Sequence, residues 1–144
     1  MNSRQKGPVS PPCVCAALRM ATRSVTQVYD KHLRPSGLRS TQFHVLSAIR
    51  AVGEATVTRL TKILLIDQTT LTRGLALLER DGLVRTVPQP DGRLKSLRLT
   101  KKGESALESA EPLWAAAQKQ ILGVLGPNAW PELSRELDRL ARGV

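Results

Sequence analysis

The sequence predicts a mainly α-helical protein with one small β-hairpin. Apolar residues recur at intervals of three and four along most of the 144 residues, which is the spacing of amphipathic helices. Between residues 83 and 99 this spacing gives way to two strand-like segments, and the Asp91-Gly92 pair between them favours a hairpin turn. Hydrophobic residues make up 41% of the chain but aromatic residues only 3%, so we expect an aliphatic core.

The N-terminal third divides into an arm and two helices. Residues 1–12 are basic and rich in proline and serine, and we expect them to form a flexible arm. A first helix is predicted over 13–33, and Pro35 ends it. Its mostly apolar seam consists of Val14, Leu18, Ala21, Val25, Val28 and His32. A second helix is predicted over 40–52, and its inward-facing residues are Phe43, Leu46 and Ile49.

Two further helices lead directly into the hairpin. A short third helix is predicted near 57–64. Asp67 then begins a fourth helix, because its side chain can accept hydrogen bonds from the open amides of the first turn. Gly82 ends this helix, since glycine adopts positive φ without steric cost. The two strands are predicted over 83–87 and 94–99.

The fourth helix has two chemically distinct faces. Leu71, Leu75 and Leu78 form one apolar stripe. The opposite face is polar and cationic at its N-terminal end, and it consists of Thr69, Thr72, Arg73, Ala76 and Arg80. Such a face suits entry into a DNA major groove. A helix of this kind followed by a hairpin with a charged tip is typical of a winged helix-turn-helix.

The C-terminal region is predicted to contain two amphipathic helices. A long helix reaches from residue 101 to about 125 with Pro112 inside it, where the missing backbone donor favours a kink. A last helix over 127–141 presents Leu133, Leu137 and Leu140. Together with the first helix, these stripes would leave a large apolar patch exposed in a monomer, and a symmetric homodimer covers it.

This pattern predicts one domain after the arm. Residues 13–144 form a single unit in which a winged helix core, 38–100, is flanked by dimerisation helices over 13–34 and 101–144. A compact monomeric helical cap is the alternative. The fold class is therefore a winged helix-turn-helix with an added helical dimerisation region, mainly α with a small β-hairpin wing.

The distribution of charge indicates a nucleic-acid partner. The formal net charge is +10. Residues 1–39 carry seven Lys or Arg and one acid, residues 40–100 carry nine and five, and residues 101–144 carry six of each. Such a distribution is typical of a protein that binds nucleic acid through its basic region, here residues 1–100, and uses the neutral region for structure. No apolar run is long enough to cross a membrane and no secretory signal is evident, so we expect a cytoplasmic protein without a membrane partner.

The chain resembles the multiple antibiotic resistance regulator (MarR) family of bacterial repressors. The resemblance covers roughly residues 13–125 and rests on the order and spacing of several short segments. These are Asp67, Thr69-Thr70-Leu71-Thr72-Arg73, Leu78-Glu79, Asp81-Gly82-Leu83-Val84, Asp91, Arg93, Leu99-Thr100 and Gly103, with Gly37-Leu38, Gln42, Val45-Leu46 and 57–60 upstream. A departure is Leu64-Leu65-Ile66, where such regulators often have a small or polar turn residue. The resemblance implies double-stranded DNA as partner, and often a small phenolic acid as effector, bound between the dimerisation helices and the winged core.

The candidate DNA contacts lie on the fourth helix and the hairpin. They are Thr69, Thr72, Arg73, Arg93, Lys95 and Arg98. Arg93 lies beside the hairpin tip, where a guanidinium can enter the minor groove, as the arginine here does in the regulators that this chain resembles. Its alternative role is a turn residue paired with Asp91. The two threonines and Arg73 can contact bases or phosphates, with local capping as the alternative for the threonines. Lys95 and Arg98 are expected to bind phosphates, or else to be ordinary surface charges.

A pair of cysteines begins the predicted first helix, where aligned backbone amides favour a thiolate. Arg19 follows Cys15 by one turn and would favour the same ionised form. Cys15, Tyr29 and Gln42 also match the spacing of the organic-hydroperoxide-sensing branch of the family, in which a reactive cysteine lies near the start of the first helix. Where that branch has two further tyrosines, this chain has Arg19 and Ser40.

Three interpretations of Cys13 and Cys15 stay open. They could be ordinary buried thiols. They could form a redox sensor, in which Cys15 is oxidised to sulfenic acid and Cys13 resolves it or bridges to a partner subunit. They could also bind a metal or arsenite together with His32, but helix positions two residues apart point about 200° apart, which disfavours joint ligation.

The leading functional hypothesis is a dimeric, DNA-binding transcriptional regulator. We expect a repressor of a pseudo-palindromic operator, modulated by a small aromatic effector or an oxidant. The alternatives are an architectural DNA-binding protein with little sequence preference, and a winged-helix module that binds protein. No Ser/His/Asp set, glycine-rich phosphate loop or metal-ligand cluster is evident, so we expect no enzyme activity, cofactor or metal.

Overall fold

The computed structural model describes residues 13–92 and 94–144 and confirms the mainly helical fold with a hairpin wing. The helices are α1 Val14–Leu33, α2 Ser40–Val52, α3 Val57–Leu64, α4 Gln68–Arg80, α5 Lys101–Leu125 and α6 Ala129–Gly143, with a 3₁₀ turn at Arg34–Ser36. The strands are β1 Ala55–Thr56, β2 Val84–Pro88 and β3 Lys95–Leu99. Within these described ranges, no helix has the length and apolarity needed to cross a membrane.

The three strands form one antiparallel sheet with β3 in the middle, in the order β1-β3-β2. The hairpin register pairs Val84 with Leu99 and Pro88 with Lys95. Strand β1 was not predicted from the sequence, because two residues are too short to show an alternating pattern. It exists because Ala55 pairs with Leu97 from the far side of the sheet.

Several element boundaries differ from the predictions by one or two residues. Helix α1 begins at Val14 rather than Cys13, which has an extended backbone at the N-cap position. Strand β2 begins at Val84 rather than Leu83, because the Leu83 amide donates to the Leu78 carbonyl and belongs to the stop of α4. Helix α6 spans Ala129–Gly143 instead of 127–141.

The core is aliphatic, as the composition predicts, and it lies between the winged region and the parts of α1 and α5 that pack against it. Six helices and strands contribute its fully buried side chains. These are Leu33, Leu46, Ile49, Leu60, Leu78, Val84 and Leu107. The predicted inward positions Phe43, Leu71 and Leu75 are also buried. Helix α5 runs through Pro112 as one continuous element, and its N-terminal half closes this core with Leu107 and Ala110.

Polar contacts join the long helices to one another. The Tyr29 hydroxyl of α1 donates to the Gln118 amide oxygen of α5, and His32 Nε2, three residues further along α1, lies 2.8 Å from Gln120 Oε1. The Asp30 carboxylate accepts from the Ser40 amide at 2.7 Å and so joins the end of α1 to the start of α2. These bonds fix α1 against both α2 and α5.

Helix α6 is amphipathic but buries none of its residues in the chain. Its large apolar side chains, Trp130, Leu133 and Leu140, are 37–39% exposed. On α1, the predicted seam residues Leu18, Val25 and Val28 are only partly buried. The two helices therefore present apolar surface that the single chain does not cover.

Candidate nucleic-acid interface and ligand cleft

The start of helix α4 is set by Asp67. Its carboxylate accepts from the Thr70 amide at 2.9 Å and from the Thr70 hydroxyl at 2.5 Å. These two bonds from Thr70, the hydroxyl bond first, hold the pKa of Asp67 below its usual range. Thr70 is therefore occupied with the local cap, as its position predicts, and Thr69 and Thr72 stay exposed beside it.

The turn between α3 and α4 contains Leu65 in the left-handed region, with φ 51° and ψ 42°. It is the one non-glycine residue with positive φ in the described chain, and it is 58% exposed. This conformation costs a branched side chain about 1–2 kcal/mol. At the point where the sequence departs from the small or polar residue common in such regulators, Leu65 thus adopts a backbone conformation that glycine or asparagine would take at lower cost.

Helix α4 divides as predicted into a buried and an exposed face. Leu71, Leu75 and Leu78 are at most 5% exposed. The residues opposite them are exposed, and they are Thr69, Thr72, Arg73, Ala76 and Arg80. Arg80 pairs with Asp81 at 3.1 Å, whereas Arg73 makes no ion pair with any other described residue. A free cation and short polar side chains on one open face can reach base edges and phosphates.

The β2–β3 hairpin projects beside this helix as a wing. Its tip is a turn in which the Gly92 amide donates to the Gln89 carbonyl at 3.0 Å, and Gly92 has a φ of 67°. Lys95 is exposed at the start of β3. Arg98 is half exposed, and its Nε lies 3.9 Å from a carboxylate oxygen of Glu54. Arg93, the first candidate for minor-groove entry, lies outside the described residues.

The hairpin is also tied to α4. The Thr86 hydroxyl of β2 donates to the Glu79 carboxylate at 2.5 Å. At the hairpin base, the Thr100 hydroxyl donates to the Gly82 carbonyl at 2.6 Å and accepts from the Gly103 amide at 3.0 Å. Helix and wing therefore form one connected surface.

The two cysteines are exposed, so the interpretation as ordinary buried thiols is wrong for the described chain. Cys15 borders a shallow groove of about 730 Å³ between the N-terminal end of α1 and the C-terminal end of α6. The groove is lined mainly by apolar residues, with Arg19 and Arg23 as its cations. The predicted neighbour Arg19 thus shares a surface with Cys15.

The structure does not bring Tyr29 to the cysteines. Tyr29 lies 14 residues beyond Cys15 on the same helix, a separation of about 21 Å at 1.5 Å per residue. It instead lines a second cleft, and burial there raises the pKa of its hydroxyl. Among described residues, no three His, Cys, Asp or Glu side chains are grouped as a metal site would need, and His32 contacts Gln120 instead of either thiol.

The second cleft has a volume of about 820 Å³ and lies between the winged core and the long helices. All four aromatic residues of the chain line it, namely Tyr29, Phe43, Trp114 and Trp130. The Phe43 and Trp114 rings stack with centroids 5.9 Å apart and planes inclined by 12°. Arg50 and Glu111 form an ion pair at the same cleft. The family resemblance implies an effector between the dimerisation helices and the winged core, but the sequence did not identify the residues that line this cleft, because they are distant in the chain.

Comparison with known proteins agrees with this architecture. A sequence model of the MarR family matches residues 36–94. An HTH-type transcriptional regulator of Bacillus cereus (strain ZK / E33L), itself uncharacterised, is 33% identical over 100 residues, which are 69% of this chain and 67% of the relative.

Two similar solved structures contain DNA. The M. tuberculosis transcriptional regulator MosR in complex with DNA has a TM-score of 0.84 and 39% identity, covering 91% of this chain and 95% of MosR. A mutant form of E. coli MarR complexed with operator DNA has a TM-score of 0.81 and 25% identity, covering 88% of this chain and 92% of that one. From the family match, the sequence relative and the fold together, this chain belongs to the MarR family of winged helix-turn-helix transcriptional regulators.

Proposed function

We propose that this protein is a dimeric repressor that binds a pseudo-palindromic operator and responds to a small aromatic effector or to thiol oxidation. The observation that carries the proposal is the open face of α4, with Thr69, Thr72 and Arg73 exposed beside a basic wing. The similarity to two regulators whose structures contain DNA supports it.

Each candidate DNA residue has a specific role in this proposal. Thr69, Thr72 and Arg73 enter the major groove, where Arg73 binds a guanine edge or a phosphate. Lys95 binds a phosphate and Arg98 contributes positive charge to the wing. Arg93 enters the flanking minor groove. The net charge of +10 adds a salt-dependent attraction to any DNA sequence.

The proposed dimer forms through the helices outside the winged core. Apolar side chains of α1 and α6, among them Leu18, Leu133 and Leu140, stay partly or largely exposed in the single chain. A second copy of the chain covers such stripes symmetrically. Two copies of α4 would then reach successive major grooves about one helical turn of DNA apart, which explains a palindromic operator.

The proposed effector binds in the aromatic cleft. Large aromatic side chains normally bury in cores, yet Trp114 and Trp130 are 37% and 38% exposed where they line this cleft. Stacking surfaces next to Arg50 and Glu111 suit a planar aromatic molecule with a polar or charged substituent. Because both tryptophans of the chain line the cleft, ligand binding should change the intrinsic fluorescence.

The proposed redox response begins at Cys15. The Cys15 thiolate attacks one oxygen of an organic hydroperoxide, so that an S–O bond forms, the O–O bond breaks, and the alkoxide takes a proton to leave as an alcohol. The sulfenic acid then condenses with the Cys13 thiol of either subunit, giving a disulfide and water. Arg19 lines the same groove as Cys15 and gives it a positive charge.

Footprinting on the DNA upstream of the protein's own gene tests the DNA-binding role. A repressor of this kind should protect a palindromic site and prefer it over random duplex by about 10³-fold or more. Equal affinity for both duplexes would instead favour an architectural DNA-binding protein. Absence of binding to any duplex would favour a protein-interaction module.

An Arg93→Ala variant tests the wing in the same assay. Operator binding should weaken by about 1–3 kcal/mol and its salt dependence should become shallower. The melting temperature should not change, since the replaced side chain is proposed to serve DNA alone. Unchanged affinity at matched salt would rule out this role.

A further inference from the structure

The residue Glu54 joins the winged core to both strands of the wing. It lies between α2 and β1, and its side chain is 35% exposed. One carboxylate oxygen accepts from the Gln89 side-chain amide at 2.7 Å, where β2 ends and the hairpin tip begins. The other oxygen lies 3.9 Å from the Arg98 guanidinium on β3.

The segment that carries Glu54 is firmly held. Ala55, the next residue, is 3% exposed and pairs with Leu97 in the sheet. Thr56 pairs with Ser96, and its hydroxyl accepts from the Arg59 amide at 3.2 Å to cap α3. Glu54 therefore contacts the wing from a position fixed by both the sheet and the helix-turn-helix.

Two of the three hydrogen bonds described at the wing tip lie within the hairpin, and the third joins it to the core. Its turn is closed by bonds within the hairpin, from the Gly92 amide to the Gln89 carbonyl at 3.0 Å and from the Leu94 amide to Asp91 Oδ1 at 3.2 Å. The bond from Gln89 to Glu54 is the described hydrogen bond that joins this turn to the core. Losing that bond would let the tip move relative to α4, even though the hairpin itself stays paired.

We propose that Glu54 is a positioning residue for operator recognition, which orders the wing before DNA arrives and thereby favours the specific complex. This inference rests on the proposed DNA-binding function and assigns Arg98 a part in wing attachment as well as in the basic surface. Ordering the wing beforehand reduces the entropy lost on binding. Specific binding benefits most, since it requires helix and wing to engage DNA together.

A small set of variants separates this role from a plain change of charge. Glu54→Ala removes both contacts, Glu54→Gln keeps an oxygen that accepts from Gln89, and Gln89→Ala removes the partner. Glu108→Ala, on an exposed position of α5, is the matched control for the loss of one negative charge. Affinity is measured for a duplex selected by the wild-type protein from a random pool and for an unselected duplex.

The expected result is a loss of specificity rather than of all DNA binding. Glu54→Ala and Gln89→Ala should each lower the ratio of selected to unselected affinity by about 2- to 10-fold, the range of one net hydrogen bond. The double variant should lose no more than Glu54→Ala alone, because that single change already removes the contact with Gln89. Glu54→Gln should retain most of the wild-type ratio, and Glu108→Ala all of it. An unchanged ratio in Glu54→Ala, or additive losses in the double variant, would overturn the proposal.

Hydrogen exchange tests the wing without DNA. The Gly92 and Leu94 amides should exchange about 2- to 10-fold faster in Glu54→Ala than in the wild type or Glu108→Ala. Unchanged exchange there would also overturn the proposal. If the wild type selects no preferred duplex but the exchange difference is present, the DNA-binding function fails while the attachment of the wing by Glu54 stands.

Discussion

At the scale of single residues, Gly103 shows how closely the end of α4 and helix α5 approach. A Cβ atom at this position would lie 2.0 Å from the Leu83 carbonyl oxygen and 3.0 Å from its carbon. Both atoms belong to backbone that is held in the stop of α4, so neither can move away easily. The absence of a side chain at Gly103 is therefore needed for α5 to begin where it does.

We expect Gly103→Ala to lower the free energy of unfolding by about 3 kcal/mol, because overpacking against backbone is costly. The matched control is Gly74→Ala in the interior of α4, where an added Cβ has no neighbour within 4 Å. That substitution should raise stability by about 0.5–1 kcal/mol through helix propensity. Urea unfolding at one protein concentration measures both, and a shift of both variants in the same direction would contradict this account.

Asp67 makes stability depend on pH through the cap of α4. Its folded-state pKa is lowered by hydrogen bonds from Thr70, so the ionised carboxylate stabilises the folded protein. This contribution is fully present above the unfolded pKa of about 4 and is lost as the pH falls through the lower folded value.

The stability difference between wild type and Asp67→Ala should therefore be constant near neutral pH and shrink below about pH 4. Asp67→Asn keeps an oxygen that can cap α4 but cannot ionise. Unfolding experiments from pH 7 to pH 2 on the three proteins measure these differences. A wild-type advantage over Asp67→Ala that is the same at every pH would show that ionisation of this carboxylate does not contribute.

At the scale of elements, α6 is an amphipathic helix whose apolar stripe is not buried within the single chain. Leu133 and Leu140 are 37% and 39% exposed, and no residue of the helix is buried. A partner helix is the simplest cover for this stripe.

We expect light scattering at micromolar concentration to show twice the chain mass of 15.7 kDa. Leu140→Asp should shift the equilibrium to the monomer, because an ionised group would be placed in the proposed apolar interface. Arg135→Asp, at a position of the same helix away from the leucine stripe, is the control and should remain dimeric. A monomeric wild type would remove protein symmetry as the origin of a palindromic operator.

At the scale of the whole molecule, the proposed redox response requires a signal to pass from the Cys15 groove to the winged core. The groove lies at the N-terminal end of α1, and the same helix contacts α5 through Tyr29 and His32 near its other end. Movement of α1 would therefore act on the helix that closes the core, and through it on the separation of two recognition helices in a dimer.

An organic hydroperoxide should change the operator affinity of the wild type, and Cys15→Ser should abolish that change. Cys13→Ser should still form a sulfenic acid at Cys15, which a dimedone adduct on Cys15 would report by mass spectrometry. If Cys15→Ser and wild type respond alike to the peroxide and to a disulfide oxidant, the thiols are not the sensor. A small aromatic effector bound in the aromatic cleft would then be the regulator to test.

Much of the fold follows from local signals in the sequence. The predicted spans of α2 and α3 agree with the structure, as do the Asp67 cap, the Gly82 stop and the apolar stripe of α4. Each depends on contacts within one or two helical turns, where side-chain type directly sets backbone conformation. The open face of α4 follows too, because its position opposite the leucine stripe is a matter of helical period alone.

The tertiary structure decided the features that join distant segments. It paired β1 with β3, gathered four aromatic residues into one cleft and placed Glu54 against Gln89 and Arg98. None of these contacts has a periodic signature, because each depends on how whole helices and strands pack. The sequence by itself thus determined the helices, the wing and the open face of α4, whereas packing decided which side chains meet to line the aromatic cleft or to hold the wing.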